Sequence, residues 1–246
     1  ILFRDMTEMR RLQQEIARSR RLASLGSLAA GVAHEIRNPL SSLKGFATYF
    51  RERYRENPAD RETADVMIAE VDRLNRVIGQ LLEFARPMTM TKVPTSLPMV
   101  LRHALKTVEG QARKQGIAIE TDFPAQIGEV PLDADRISQV FMNLFLNALA
   151  AMEAGGTLRV SLARQDERTV RISVSDTGAG IRKEDLPRVF DPYFTTKPSG
   201  TGLGLPIIQK IVEAHGGQIS LTSEPGQGTT ATVLLPAVPE REPART

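Results

Sequence analysis

A histidine on a predicted helix is the first residue of this sequence that could do chemistry. The stretch "AAGVAHEIRNPLSSL", residues 29–43, has apolar residues three or four positions apart, which predicts an amphipathic helix. At about 100° per residue, His34 falls roughly 170° from the apolar stripe and faces water. Glu35 is adjacent and could accept a proton from one ring nitrogen, which would leave the other as a nucleophile. An incidental surface histidine is the competing interpretation of this pattern.

Two further residues of the same helix favour the chemical interpretation. Asn38 lies one turn beyond His34 on the exposed face, so its amide is within reach of whatever the imidazole carries. Pro39 removes one backbone donor and crowds the carbonyl group of Glu35, so we expect it to kink or loosen the helix beside the histidine. A helix that only packs would gain nothing from that kink.

Residues suited to a phosphate-bound cation lie on a later apolar helix. In "QVFMNLFLNALAAM", Asn143 and Asn147 are one helical turn apart, so their amides share a face. Capping or surface asparagines are the alternative. Two amides inside an otherwise apolar helix are nevertheless costly unless they face a cleft.

Two glycine-containing segments could bind the rest of a nucleotide. "VSDTGAGI" ends a strand with Asp176, whose carboxylate could accept a hydrogen bond from an exocyclic amine, although a simple Asp-Gly turn is the alternative. "PSGTGLGLPII" places Gly200, Gly202 and Gly204 just before a helix, where free backbone donors suit phosphates. The loop before the helix fits neither the dinucleotide-binding pattern nor the Walker pattern. Between the two segments, residues 188–200 have the composition of a mobile lid, although aromatic residues in a loop more often simply pack.

Two long helices must position the histidine. The apolar stripe of the first runs to Phe50, the loop "RENPAD" follows at 55–60, and the second helix carries a heptad seam. The seam residues are Met67, Val71, Leu74, Ile78, Leu81 and Ala85. Since a hairpin cannot cover these seams from within, the pattern predicts pairing with a second copy as a four-helix bundle.

A second domain must position the asparagines, the aspartate and the glycines. Three prolines within residues 85–98 mark the boundary, and helices alternate with strands of half-buried pattern from there to residue 236. These strands mostly follow one another directly, which predicts a mixed or antiparallel sheet with helices on one face. The predicted fold class is therefore α+β: a dimeric helical hairpin followed by an α/β sandwich.

The motifs together resemble one family. "HEIRNPL" resembles the H-box of two-component sensor histidine kinases, and the later stretches resemble, in order, their N, G1, F and G2 boxes. The ATP-binding domain of that family has the Bergerat fold, which gyrase and MutL-type ATPases share. The resemblance covers about residues 20–236, and the "NPL" variant is most similar to the nitrogen-regulatory and zinc-resistance sensor kinases.

The resemblance implies a role for each motif residue. His34 would accept the phosphoryl group, Glu35 would act as base, and Asn38 would help position water for dephosphorylating the partner. The family binds ATP with Mg²⁺; by resemblance Asn147 coordinates the metal, Asn143 contacts phosphate or ion, Asp176 recognises adenine and Thr229 lies near the adenine. The other cofactor-binding residues implied are Gly178, Gly180, Lys197, Gly200, Gly202, Leu203 and Gly204.

The resemblance also implies a domain organisation and partners. Residues 1–20 would be a signalling helix at the end of a PAS-like domain, 21–90 the phosphotransfer hairpin, 91–238 the ATP-binding domain and 239–246 a disordered tail. The implied function is autophosphorylation of His34 and transfer to an aspartate of a response regulator, with phosphatase activity toward that regulator. We expect a homodimer in the cytoplasm, as a free protein or as the cytoplasmic part of an inner-membrane sensor.

Bulk composition narrows the alternatives. The 246 residues include 32 basic and 29 acidic ones, and a formal charge of +3 gives no argument for nucleic acid. There is no cysteine, which excludes disulfides and thiol chemistry. No apolar run approaches the ~20 residues of a membrane helix, so we expect this segment not to contact a membrane. Two other classes remain open: a Bergerat-type ATPase of the chaperone or DNA-repair kind, and a phosphatase-only dimeric signalling module.

Overall fold

A computed structural model describes residues 35–85, 88–124, 127–153, 155–197 and 200–237. The chain divides into two compact units, Ile1–Pro87 and Met88–Thr246, and each is described by itself. His34, the predicted signalling helix at 1–20 and the predicted tail at 239–246 lie outside the described residues. The predicted domain boundaries stay predictions.

The first unit is a helical hairpin. Its first helix, α1, occupies described residues 35–53 and runs without a break through Pro39. Its second helix, α2, spans Pro58–Ala85. Asn57 starts α2 because its Oδ1 accepts a hydrogen bond from the Ala59 amide over 3.2 Å, and Pro58 follows at a helical position where no amide hydrogen is needed.

Packing between the two helices relies on a small apolar cluster and one ion pair. Leu40 of α1 packs with three residues of α2, which are Val71, Ile78 and Leu82. The Lys44 ammonium donates a hydrogen bond to Asp72 Oδ1 over 2.7 Å and links the helices beside the cluster. The contacts confirm the predicted hairpin and show that only part of the heptad seam is buried within it.

Many large apolar side chains of the hairpin remain exposed. On α1, Phe46 is 61% exposed and Leu43 is 49% exposed, and on α2 Met67 is 42% exposed. The other exposed apolar residues of the hairpin are Ile36, Tyr49, Phe50, Tyr54, Val66 and Leu74. So many exposed large apolar side chains are unusual on a surface that contacts only water.

The described residues of the second unit form two sheets and three α-helices. Strands β1 (Val93–Ser96) and β3 (Glu129–Leu132) form an antiparallel pair. The main sheet has the order β2-β4-β5-β7-β6, in which β2 and β4 are parallel and all other neighbours are antiparallel. Its strands are β2 (Ile117–Asp122), β4 (Gly156–Arg164), β5 (Thr169–Asp176), β6 (Gln218–Glu224) and β7 (Gly228–Pro236). The helices are α3 (Leu97–Lys114), α4 (Ala134–Ala151) and α5 (Gly204–Ala214).

Cross-strand rows on the buried face of the main sheet form its core. Because successive residues of a strand point to opposite faces, residues paired across neighbouring strands line up on one face. Two rows are apolar: Leu162, Ile172, Val233 and Ile219, then Val160, Val174, Ala231 and Leu221. The next row begins with buried Leu158 and continues as Asp176, Thr229 and Ser223. The apolar face therefore ends in a polar row.

Most predicted elements agree with the structure. The mixed sheet and the α+β class are confirmed, and helix α4 buries Phe141, Leu144 and Phe145 on one face. Strand β1 was not predicted, because Pro94 and the neighbouring prolines indicated a linker. A short 3₁₀ helix, Leu186–Arg188, was also missed. Among the described residues, no helix is long and apolar enough to cross a membrane.

Candidate functional site

The described part of the phospho-acceptor motif is open to solvent. His34 lies outside the described residues, but Glu35 and Asn38 are both exposed on α1. The backbone carbonyl oxygen of Asn38 accepts a hydrogen bond from Ser42 Oγ over 3.4 Å. The side-chain amide of Asn38 has no hydrogen-bond partner in the described part of the chain. The face on which the sequence places the histidine is therefore accessible to a second domain or protein.

Asp176 ends β5 with one carboxylate oxygen occupied and the other available. Oδ1 accepts hydrogen bonds from the Gly178 amide over 2.9 Å and from the Thr229 amide over 3.3 Å. Oδ2 has no hydrogen-bond partner within the described ranges. Because the first oxygen is held by two backbone donors, the second has a fixed direction and can accept a donor from a ligand.

Burial raises the pKa of Asp176 above that of a free carboxyl group. The hydrogen bonds from Gly178 and Thr229 and the positive charge of Lys197 oppose this increase but do not cancel it. A partly desolvated carboxylate with a free oxygen suits recognition of a neutral donor such as an amine.

Gly178 and Gly180 hold the loop after β5 against its neighbours. A side chain at Gly178 would meet the carbonyl group of Ala151 at the end of α4, and the next amide, that of Ala179, donates to that carbonyl over 3.0 Å. Gly180 has a φ of +69° and lies against the backbone of Glu224. The Gly226 amide donates to the Ala179 carbonyl over 2.8 Å, so the β6–β7 turn also contacts this loop. Both glycines are therefore required by packing within the protein.

The two predicted asparagines lie in the second half of α4. Asn143 is half-buried and Asn147 is exposed, and neither side-chain amide has a hydrogen-bond partner among the described residues. No cluster of three or more His, Cys, Asp or Glu side chains that could hold a metal occurs in the described ranges. A cation here would therefore rely on amide oxygens and on oxygens of a bound phosphate, which are ligands that Mg²⁺ accepts.

Lys197 of the lid segment contacts α4 and lies close enough to Asp176 for the two charges to interact. Its ammonium donates a hydrogen bond to the Asn147 carbonyl over 3.4 Å. Desolvation lowers the pKa of Lys197, and the charge of Asp176 opposes that shift. The structure thus brings Asp176, Lys197 and Asn147 into one neighbourhood.

The two ends of the lid segment, residues 188–200 with the adjoining Gly202, are held together by backbone hydrogen bonds. Tyr193 has a φ of +67°, which is uncommon for a residue with a side chain, and its amide donates to the Gly202 carbonyl over 3.0 Å. Gly202 also has a φ of +67°, and a side chain there would collide with the backbone of Tyr193 and Phe194. The Gly200 amide donates to the Lys197 carbonyl over 3.0 Å. Gly200 and Gly202 therefore shape the lid.

The start of α5 offers space and donors. Leu203 is 1% exposed and precedes the helix without a side-chain cap, and the first helical residue is Gly204. A Cβ atom added at Gly204 would meet nothing within 4 Å. Backbone amides of a first turn carry partial positive charge and suit an anion. Open space here and the free Asp176 oxygen fit a nucleotide, with its phosphates near α5 and its base near β5.

The domain architecture agrees with one class of protein. Residues 132–239 match the family described as "Histidine kinase-, DNA gyrase B-, and HSP90-like ATPase", and residues 24–89 match the "His Kinase A (phospho-acceptor) domain". The chain therefore combines a phospho-acceptor domain with a histidine kinase-like ATPase domain, which is consistent with the catalytic core of a two-component sensor kinase.

Curated relatives support this assignment. The chain is 44% identical over 225 residues to "Sensor histidine kinase ZraS" of Escherichia coli (strain K12), covering 92% of this chain and 48% of the relative. It is 38% identical over 244 residues to "Signal transduction histidine-protein kinase AtoS" of the same strain, covering 98% of this chain and 39% of the relative. The chain thus spans about half the length of the curated relatives it matches, or less.

Solved structures of similar fold include a histidine kinase. One is "ShkA full-length in complex with AMPPNP", with a TM-score of 0.74 and 26% identity over 87% of this chain and 47% of that chain. Another is "histidine kinase ThkA in complex with response regulator protein TrrA", with a TM-score of 0.70 and 29% identity over 97% of this chain and 70% of that chain. The recognised family and the predicted fold class are confirmed.

Proposed function

We propose that this chain autophosphorylates His34 with ATP and passes the phosphoryl group to an aspartate of a response regulator. The observation that carries the proposal is the combination in one chain of an exposed H-box helix and a nucleotide site with a free acceptor at Asp176 and open space at Gly204. The ATP-binding family match and the regulator complex of ThkA support it. The proposed limits are residues 21–90 for the phosphotransfer hairpin and 91–238 for the ATP-binding domain.

Nucleotide recognition would use the two ends of the site. Asp176 Oδ2 accepts a hydrogen bond from the exocyclic amine of adenine, while the first amides of α5 and the Lys197 ammonium donate to the phosphates. Asn147, aided by Asn143, would hold Mg²⁺, which neutralises charge on the transferring and leaving phosphates when bound. The glycines at 200 and 202 let the lid fold back over this end.

Transfer to the histidine exchanges one bond for another. A lone pair on an imidazole nitrogen of His34 forms a bond to the γ-phosphorus, and the bond from that phosphorus to the bridging oxygen of ADP breaks. Glu35 accepts the proton that the imidazole loses. Asn38 would later position the water that dephosphorylates the regulator, because its amide is exposed and has no partner within the described helix.

A homodimer is part of the proposal. The exposed apolar side chains of α1 and α2, such as Phe46 at 61% exposure, would be covered by a second copy in a four-helix bundle. A cytoplasmic location, where ATP and response regulators occur, is likewise proposed from the sequence.

Labelling with two forms of ATP tests the activity. The chain is incubated with Mg²⁺ and either γ-labelled or α-labelled ATP, and the protein is separated from nucleotide. Only the γ-label should be incorporated, and it should be lost in acid and retained in alkali, as expected for a phosphoramidate. ATP hydrolysis without incorporated label would favour a Bergerat-type ATPase instead. No binding of ATP or ADP would favour a phosphatase-only signalling module.

A further inference from the structure

Ser223 makes a hydrogen-bond network beside the polar row of the main sheet. Its Oγ donates to the Gly228 carbonyl over 2.8 Å and accepts from the Ile181 amide over 2.8 Å. It also lies 2.9 Å from Thr229 Oγ1, where either hydroxyl could be the donor from distance alone. The sequence had not singled out this serine, which looks like an ordinary residue of a strand.

The donor in the Ser223–Thr229 bond follows from counting hydrogens. A carbonyl oxygen can only accept, so the single hydroxyl hydrogen of Ser223 is used by Gly228. Thr229 must therefore donate its own hydroxyl hydrogen to Ser223. The hydroxyl oxygen of Thr229 is left with lone pairs only, and these can accept but not donate.

The consequence concerns the base end of the site. Thr229 is the cross-strand neighbour of both Asp176 and Ser223, so the three side chains lie in one row. Asp176 Oδ2 is also an acceptor, because a carboxylate has no hydrogen to donate. The described side chains of this row thus offer a ligand two acceptors and no donor.

We propose that Ser223 is a positioning residue that fixes the Thr229 hydroxyl as an acceptor and so favours a 6-amino purine over a 6-keto purine, an inference that rests on the function proposed above. The 6-amine of adenine donates hydrogen bonds, whereas the 6-keto oxygen of hypoxanthine accepts them and would face like groups. A site whose buried polar groups remain unpaired rejects the wrong ligand strongly. Without Ser223, the Thr229 hydroxyl can rotate and donate to the keto oxygen.

Binding of ADP and inosine diphosphate to the full chain tests the proposal. Calorimetry gives the ratio of the two dissociation constants for the unaltered protein, Ser223→Ala and the control Ser220→Ala, whose side chain lies on the opposite face of β6. We expect Ser223→Ala to narrow the ratio by about 3- to 10-fold, mainly through tighter inosine diphosphate binding, as one neutral hydrogen bond allows. Ser220→Ala should leave the ratio unchanged.

Two further variants separate a positioning role from a structural one. If Ser223 only supports the loop, Ser223→Ala weakens both ligands equally, and an unchanged ratio overturns the proposal. Thr229→Val should weaken ADP but not inosine diphosphate, and Ser223→Ala added to it should not change the ratio further. If Ser223→Ala does not fold, Thr229→Val decides alone: unchanged ADP binding there would overturn the proposal, because the Thr229 hydroxyl would then not accept a hydrogen bond from the 6-amine. If the unaltered chain binds neither ligand, the proposed function fails instead.

Discussion

His215 Nε2 accepts a hydrogen bond from the Asp133 amide over 3.1 Å and thereby joins the end of α5 to the start of α4. The other ring nitrogen, Nδ1, lies 2.8 Å from the Ile211 carbonyl, so it must carry the hydrogen and the ring is neutral. Asp133 in turn accepts hydrogen bonds from the amides of Arg136 and Thr91. One histidine thus supports the two helices that border the nucleotide site.

Replacing His215 should destabilise the catalytic unit. His215→Gln replaces the rigid ring that bridges the Ile211 carbonyl and the Asp133 amide with a longer, flexible side chain, and we expect a loss of about 1–3 kcal/mol. Calorimetric melting of the full chain would measure it. His103→Gln is the matched control, because His103 is exposed on α3 and should change stability little. Equal melting of the two variants would contradict a supporting role for His215.

The same histidine should make stability depend on pH. Burial lowers the pKa of His215 below its ordinary value of 6.5, with help from the charge of Lys92 and against the effects of Ile211 and Asp133. The unfolded chain then binds more protons than the folded chain at pH values just below 6.5, so stability should fall as the pH drops through that range and should not change above it. Melting temperatures between pH 7.5 and 5 should show the fall in the unaltered protein and less of it in His215→Gln.

Asp176 should be needed for the base of the nucleotide. Asp176→Asn keeps the shape of the side chain but removes the charge that strengthens the hydrogen bond from an amine. We expect ADP binding to weaken by at least about 10-fold, since hydrogen bonds to charged groups are the stronger ones. Asp122→Asn, at the exposed end of β2, is the control and should bind ADP normally. Undiminished ADP binding by Asp176→Asn would show that the base binds elsewhere.

Gly202 and Gly204 should respond differently to alanine. Gly202→Ala adds a side chain at a φ of +67° against the Tyr193 and Phe194 backbone, so it should distort the lid and weaken nucleotide binding with some loss of stability. Gly204→Ala adds a methyl group in open space at a helical position, so stability should be unchanged or slightly higher. ADP should nevertheless bind Gly204→Ala more weakly, while adenosine binds as before. Unaltered ADP binding by Gly204→Ala would show that the phosphates do not bind at the start of α5.

The exposed apolar face of the hairpin should mediate dimerisation. Phe46→Glu puts a charge on a side chain that is 61% exposed in the single chain, and burying it against a second copy would be costly. Light scattering should report a dimer for the unaltered protein and a lower mass for this variant. Thr48→Glu, on the same helix but roughly 200° away, is the control and should remain dimeric. A monomeric unaltered protein would contradict the dimer directly.

Periodic segments made most of the fold predictable. The three- and four-residue spacing of apolar residues located α2, α3 and α4, and the alternation along β4, β5 and β7 located the sheet and its buried face. The proline-rich segment before α3 concealed β1, because local rules count Val93–Ser96 as linker although the strand needs only one partner, β3.

The candidate site was predictable to the extent that its residues lie in recognisable motifs. Asp176 and the loop glycines follow a strand or precede a helix, and such positions can be recognised from the sequence alone. The direction of a hydroxyl group cannot be recognised from the sequence. Ser223 makes its hydrogen bonds only when β6 and β7 pair and Ile181 approaches from another loop. The strained backbone of Tyr193 likewise depends on its contact with Gly202, nine residues later in the chain.

Labelling of His34→Gln tests whether His34 is the residue that receives the phosphoryl group. The unaltered chain, His34→Gln and the control His103→Gln are incubated with γ-labelled ATP and Mg²⁺, and ADP binding is measured for each. We expect acid-labile label in the unaltered chain and in His103→Gln, and none in His34→Gln although it still binds ADP. Undiminished acid-labile label in His34→Gln would contradict the account, because the phosphoryl group would then reside on another residue.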